Sequence, residues 1–317
     1  MAKIAFLFPG QGSQYVGMGQ DLYEADPQAR ELFQVAEDAT GLPLRRLCFT
    51  GPMDELTQTV NLQPAITVVN LCLYRALEAA GVIPQAVCGH SLGEYSALYA
   101  AGVLDAGAAL AAVKLRGRLM QREAEAHPGT MAAVIGLSPE KLAELLADLC
   151  RQGPLALANF NTQEQTVISG SADLVAQAAE LCKAAGARVA PLKVSGAWHS
   201  PLMAGANEEF GAFLSGLQFN PPRLPLYLNA TGRPETDPER LRQAMSRQLT
   251  SPVKWADLIL NLQAGGVHTW AEVGPKNVLK GLVRKILPQE PPENFVNIEN
   301  RESLERFLTD WRGKKSG

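Results

Sequence analysis

Histidine and cysteine are both scarce in this chain, with four and five copies among 317 residues. The cysteines, Cys48, Cys72, Cys88, Cys150 and Cys182, are scattered, odd in number and never spaced Cys-x-x-Cys. A disulfide framework is excluded on that pattern, and a reduced, cytoplasmic setting fits it. A basic excess is also missing. The formal net charge of −3 argues against nucleic acid as the main partner, because phosphate binding needs a basic patch or surplus. Long hydrophobic runs are absent too. The run at residues 4–8 is cut short by Pro9-Gly10, too short for a signal-peptide core, and no run approaches a membrane span. Chemistry that needs an imidazole has only His90, His127, His199 and His268 to draw on.

Apolar residues make up 46% of the chain, enough for a large core. Strand-like runs alternate with helical periodicity, which points to an α/β fold with a mainly parallel sheet covered on both faces. Pro64 is expected to open a helix over residues 64–80, closed by Gly81. Asp105 caps a long helix reaching residue 125, and His127-Pro128-Gly129 breaks it. The next segment changes character. Strands are expected at 130–137, 155–160, 165–169 and 188–194. Helices follow Ser138-Pro139 and fill 172–185. That order, βαββαβ, builds a four-stranded sheet with two helices on one face, a small inserted unit over residues 128–194. Residues 1–127 and 195–317 form the large unit. Within it, helices are expected at 201–217, 276–286 and 303–311 and an edge strand at 295–298, with a disordered tail from Gly313.

The most informative stretch is Ala86-Val87-Cys88-Gly89-His90-Ser91-Leu92-Gly93-Glu94. A short apolar run meets Gly-x-Ser-x-Gly and then a helix-favouring run. This is the nucleophile-elbow pattern, in which a strand turns sharply into a helix and presents a serine at the bend. The helix N-terminus would stabilise negative charge developing beside Ser91. The same pattern also suits an ordinary strand-to-helix turn. A second glycine-rich loop, Pro9-Gly10-Gln11-Gly12-Ser13-Gln14, follows the first strand, but it lacks the third glycine of a dinucleotide site.

A serine nucleophile needs a base. His199 lies in the junction loop Ser195-Gly196-Ala197-Trp198-His199-Ser200-Pro201, where the small unit hands the chain back, and is the candidate. An orienting carboxylate is not evident. Asp257 and Glu272 are open options, and a backbone carbonyl could anchor the ring instead. Arg116 has Ala112, Val113, Leu119 and Met120 as helical neighbours. It either snorkels from the edge of that stripe or faces a cavity and awaits an anion, for which its planar fork is suited.

These residues carry a resemblance. Phe8-Pro9-Gly10-Gln11-Gly12-Ser13-Gln14, Gly89-His90-Ser91-Leu92-Gly93-Glu94, Arg116, Asn159-Phe160-Asn161, Gly196-Ala197-Trp198-His199-Ser200-Pro201-Leu202-Met203 and Gln248-Leu249-x-x-Pro252-Val253-x-Trp255 occur in that order. The chain resembles the malonyl-CoA:acyl carrier protein transacylases and the acyltransferase domains of polyketide synthases. The resemblance implies an α/β-hydrolase-like large subdomain and a ferredoxin-like small one. It implies Ser91 as nucleophile, His199 as base, and the N–H groups of Gln11 and Leu92 as oxyanion hole. Arg116 would bind the malonyl carboxylate, with Met120, Asn159, Asn161 and Trp198 lining the substrate cleft. Gln248 would orient His199 through its main-chain carbonyl. The position before the base is often phenylalanine in malonyl-selective members, and Trp198 should narrow the pocket further.

The implied reaction passes malonyl from malonyl-CoA through a Ser91 ester to the phosphopantetheine thiol of acyl carrier protein, for fatty acid synthesis. A polyketide pathway or an acyl-thioester hydrolase on the same scaffold are the alternatives. No bound cofactor, metal or membrane is expected, and the chain is expected to be a monomer. An acidic carrier calls for a basic patch, and Lys276, Lys280 and Arg284 lie four apart on an expected helix. The same spacing also makes a plain solvated face.

Overall fold

The computed structural model describes residues 3–316. Its strands in chain order are β1 (Ile4–Phe8), β2 (Ala86–Gly89), β3 (Thr130–Ile135), β4 (Leu155–Thr162), β5 (Gln165–Gly170), β6 (Arg188–Pro191), β7 (Leu226–Tyr227), β8 (Pro234–Glu235), β9 (Thr269–Val273) and β10 (Phe295–Ile298). One sheet runs β10-β9-β1-β2-β7-β8 and the other β4-β5-β3-β6. The first is parallel except for β8, and the second is antiparallel throughout.

Why β1 is an unbroken apolar run follows from its place. Ile4, Phe6 and Phe8 join one core, Ala5 and Leu7 the other, and all five are buried. A central parallel strand covered on both faces has no polar side to show. The small sheet is also covered twice. Helices Pro139–Gln152 and Ala172–Ala184 pack on one face through Leu142, Leu146, Val175 and Ala178. Met131, Ala133, Ala158 and Val167 on the other face belong to the core of the large sheet. The two sheets therefore share a core.

Local signals place several helix ends. Asp105 accepts the Ala108 N–H at 2.7 Å at the start of helix Ala106–Ala126. Ser138 accepts the Lys141 N–H at 3.3 Å before Pro139. Other boundaries differ from expectation. Pro64 does not open its helix, which runs Thr59–Ala79. The Asn61 and Leu62 N–H groups already close onto the Gln58 carbonyl at 2.9 Å, and Pro64 removes one bond from an early turn where packing compensates. The expected helix at 201–217 divides into a 3₁₀ stretch, Pro201–Ala206, and an α-helix, Asn207–Ser215. Helix Val278–Ile286 begins after Lys276, so Lys276 does not share a helical face with Lys280 and Arg284. The last helix, Arg301–Ser316, takes in residues expected to be a disordered tail, while Gly317 lies outside the described residues. No described helix is long and apolar enough to cross a membrane.

Candidate active site

β2 ends at Gly89 and helix Gly93–Ala100 starts four residues on, so the chain must reverse its character within His90, Ser91 and Leu92. Ser91 takes φ of 50°, a left-handed conformation that residues with a β-carbon adopt at a cost. Both flanking glycines are sterically required. A Cβ on Gly89 would fall 2.0 Å from the Gly93 carbonyl carbon, and a Cβ on Gly93 would fall 2.0 Å from the Phe8 oxygen. The bend is thus pressed against itself and against β1.

His199 also has positive φ, 56°. Its Nε2 lies 2.7 Å from Ser91 Oγ. On the far side of the ring, Nδ1 lies 2.9 Å from the Ser251 carbonyl and 3.1 Å from that of Gln248. Carbonyls only accept, so Nδ1 carries the proton and Nε2 is left free to take one from serine. Gln248 thus has the expected main-chain role and shares it with Ser251, which the sequence did not single out. Neither carboxylate option serves the ring. Asp257 is exposed on its helix, and Glu272 accepts the Leu279 and Lys280 N–H groups at 3.0 and 2.7 Å. His199 is pushed down to about 3, first by burial and then by the charge of Arg116. Its imidazole is neutral across the physiological range.

Arg116 is 1% exposed, so it does not snorkel. Its Nε donates to Gln248 Oε1 at 2.9 Å, one terminal nitrogen to Gln63 Oε1 at 3.0 Å and the other to Ser91 Oγ at 3.0 Å. All three partners are neutral. The Gln248 amide is fully occupied. Its nitrogen donates to the Ser91 carbonyl at 2.9 Å and to Glu94 Oε2 at 2.6 Å, and its oxygen also accepts from Tyr95 Oη at 3.2 Å. Guanidinium cannot accept and the Ser91 carbonyl cannot donate, so this amide has one workable orientation. Glu94 is 2% exposed and burial raises it to about 7. Met120 enters through its sulfur, which accepts from Gln63 Nε2 at 3.1 Å.

The glycine-rich loop after β1 lies against the bend. A Cβ on Gly10 would sit 2.6 Å from the His90 oxygen and 3.5 Å from the Leu92 nitrogen. Ser13 Oγ donates to the Gly10 carbonyl at 2.7 Å, and Gln14 accepts the Gly12 N–H at 2.9 Å. Among the described residues, the N–H groups of Gln11 and Leu92 meet no protein acceptor. Two free donors therefore lie here, the Leu92 N–H within the bend and the Gln11 N–H on the loop after β1.

Asn161 Oδ1 accepts from His90 Nε2 at 3.0 Å, which joins the small sheet to the bend, and the His90 ring sits edge-on to Trp255. Asn159 is buried and pairs in parallel with Val253. Trp198 is 5% exposed and folds back over Gly196, where a Cβ would meet its ring at 2.7 Å. His127 and His268 are exposed beside Glu123 and Glu290, outside this cluster. Besides Ser251, sequence reasoning missed Gln63 and Asn229. Gln63 carried one signal, a polar side chain in a helix otherwise apolar around most of its circumference. Asn229 carried none. Among the described residues, no group of three or more His, Cys, Asp or Glu is placed to hold a metal ion.

A family model described as "Acyl transferase domain" matches residues 5–309. The chain is 42% identical over 288 residues to a malonyl CoA-acyl carrier protein transacylase of Bacillus subtilis, covering 90% of this chain and 91% of that one. It is similar to the crystal structure of an acyl carrier protein S-malonyltransferase from Vibrio cholerae, with TM-score 0.92, 40% identity, and coverage of 96% and 100%. It is also similar to a malonyl-transacylase solved with its type II polyketide acyl-carrier protein, with TM-score 0.91, 36% identity, and coverage of 98% and 100%.

Proposed function

The chain belongs to the acyl transferase family, and from that premise we propose that it moves malonyl from malonyl-CoA to the phosphopantetheine thiol of acyl carrier protein. The observation that carries this reading is the Arg116 fork. It is buried beside the nucleophile with both terminal nitrogens resting on neutral groups, Gln63 and Ser91, which a carboxylate can replace.

In the first half-reaction His199 Nε2 takes the Ser91 proton as Oγ attacks the malonyl thioester carbonyl. The oxyanion is received by the N–H groups of Gln11 and Leu92. As the tetrahedral species collapses, the C–S bond breaks and His199 returns its proton to the coenzyme A sulfur. In the second half-reaction His199 takes the proton of the phosphopantetheine thiol, whose sulfur attacks the malonyl-serine ester. The C–O bond then breaks and Ser91 recovers its hydrogen. Met120 holds Gln63, Asn159 and Asn161 bound the cleft on the side of the small sheet, and Trp198, next to the base, narrows it. Fatty acid synthesis is the first pathway for the product. The polyketide alternative has a specific support, because one similar structure holds a type II polyketide carrier.

The test uses radiolabelled malonyl-CoA with and without carrier protein. Covalent label should form on the protein and pass to carrier, and Ser91→Ala should take none. Arg116→Ala should cut malonyl transfer by two to four orders of magnitude, because stranding one member of a buried charge pair costs about 3–5 kcal/mol. Acetyl transfer should hold or rise. Equal loss of both would make Arg116 structural and remove the basis for a carboxylated substrate. Release of free malonate without carrier would make the protein a hydrolase.

A further inference from the structure

β2 and β7 pair in parallel only at Val87↔Leu226 and Cys88↔Tyr227. Beyond Gly89 the chain bends into the nucleophile turn, so the backbone groups there lose a neighbouring strand. Asn229, just past the end of β7 and 2% exposed, supplies what is missing. Its Oδ1 accepts the Ser91 N–H at 2.7 Å, and its Nδ2 donates to the Gly89 carbonyl at 2.7 Å. A carboxamide carries a donor and an acceptor side by side, as a peptide group does, so one side chain stands in for a strand across the bend.

The backbone of Asn229 is engaged as well. Its N–H donates to Glu94 Oε1 at 2.8 Å, in the first turn of the helix after the bend. Its carbonyl accepts the Lys254 N–H at 2.9 Å, which ties it to the segment whose Gln248 and Ser251 carbonyls hold His199. One residue thus grips the nucleophile turn on both sides and touches the support of the base. Ser91 needs such a grip, since a side-chain-bearing residue at φ of 50° persists only when its surroundings over-determine it.

We infer that Asn229 is a positioning residue: it holds Ser91 in its left-handed conformation and at reacting distance from His199, in the malonyl transfer proposed above. Asn229→Ala removes both side-chain bonds. Asn229→Asp keeps the shape and the acceptor for Ser91 but sets a carboxylate against the Gly89 carbonyl. In folded Asn229→Ala, acylation by malonyl-CoA should fall about a hundredfold, the scale of a small misplacement of a reacting atom. The ratio of malonyl to acetyl transfer should stay at the wild-type value, unlike that of Arg116→Ala. Malonyl-CoA affinity, measured by calorimetry with Ser91→Ala in both backgrounds, should not change. Labelling of Ser91 by a neutral fluorophosphonate should slow in parallel with acylation. That last measurement is independent of malonyl: slow labelling in a protein that proves inactive on malonyl-CoA would uphold Asn229 and overturn the substrate. Asn229→Asp should show the same pattern with a smaller loss. Acylation within twofold of wild type in folded Asn229→Ala, or a fall in affinity equal to the fall in rate, would overturn the inference. So would failure of both variants to fold, since Asn229 would then support the fold and not the nucleophile.

Discussion

Two loops leave neighbouring parallel strands at the same end of the large sheet, and they are built to opposite requirements. β1 and β2 run in register to Phe8↔Gly89. After β2 the chain enters a helix at once, and the turn is clamped by Gly89, Gly93 and Asn229. After β1 it wanders from Pro9 to Gly19 before helix Gln20–Ala25, and Gly12 and Gly17 have no heavy atom within 4 Å of where a Cβ would sit. A nucleophile must be held against strain, so the Ser91 N–H and carbonyl are both bonded, and among the described residues the Leu92 N–H beside them is left free. The donor proposed to receive the oxyanion must be kept unspent, and the Gln11 loop is braced at Gly10 and Gly12 and left open between them.

The contrast breaks most severely at Gly93. Gly93→Ala would drive a Cβ to 2.0 Å from the Phe8 oxygen, a backbone atom that cannot step aside. Acylation should fall more than a hundredfold and the melting temperature should drop, because forced overpacking costs about 1–3 kcal/mol or more. A near-normal rate would show the bend to be pliable.

A smaller effect concerns the charge set against the clamped side. His199 is held at about 3 by burial first and by Arg116 second. The base is therefore lost only as pH falls through that value. Arg116→Ala removes the second cause, so the His199 titration followed by NMR should move up toward the ordinary 6.5. Burial remains, so it should stop short. An unmoved titration would mean that Arg116 does not act on the base through its charge.

The smallest effect belongs to Gly12. It has φ of 102° but no neighbour for a Cβ to strike. Gly12→Ala should cost only backbone strain, about 1–2 kcal/mol, visible in denaturant unfolding, with acylation within about tenfold of wild type. Damage as large as that at Gly93 would erase the distinction between the two loops.

Much of this site was legible where the controlling interaction is local. Gly89-x-Ser91-x-Gly93 announces a tight bend because the demand on Gly89, set by Gly93, lies within five residues, although that on Gly93, set by Phe8, does not. Asp105 and Ser138 announce helix starts for the same reason. His199 stood out because only four histidines exist and one lies in a junction loop. Arg116 was legible as an oddity but ambiguous, since burial and snorkelling leave the same helical pattern. Asn229 and Ser251 were illegible, because their partners are 138 and 52 residues away and neither type is unusual in a turn. Pro64 and Lys276 misled in opposite ways. Tertiary packing carried one helix back past a proline to Thr59, and φ of 61° at Lys276 kept the other from starting before Val278.

The nucleophile and its base are 108 residues apart, and the whole small sheet lies between them in the chain. That separation has a consequence for the order of folding. Closing a loop of this length loses entropy before any contact repays it. The intervening sheet helps assemble the base's support, because β4 and β5 pair locally and β4 is stitched by the Phe160 and Val253 N–H groups, each at 2.8 Å, to the segment whose Gln248 and Ser251 carbonyls hold His199. A chain that has formed only β1 and β2 has a serine and no base. Reactivity at Ser91 is thus a late event in assembly, and an immature chain is spared a live nucleophile.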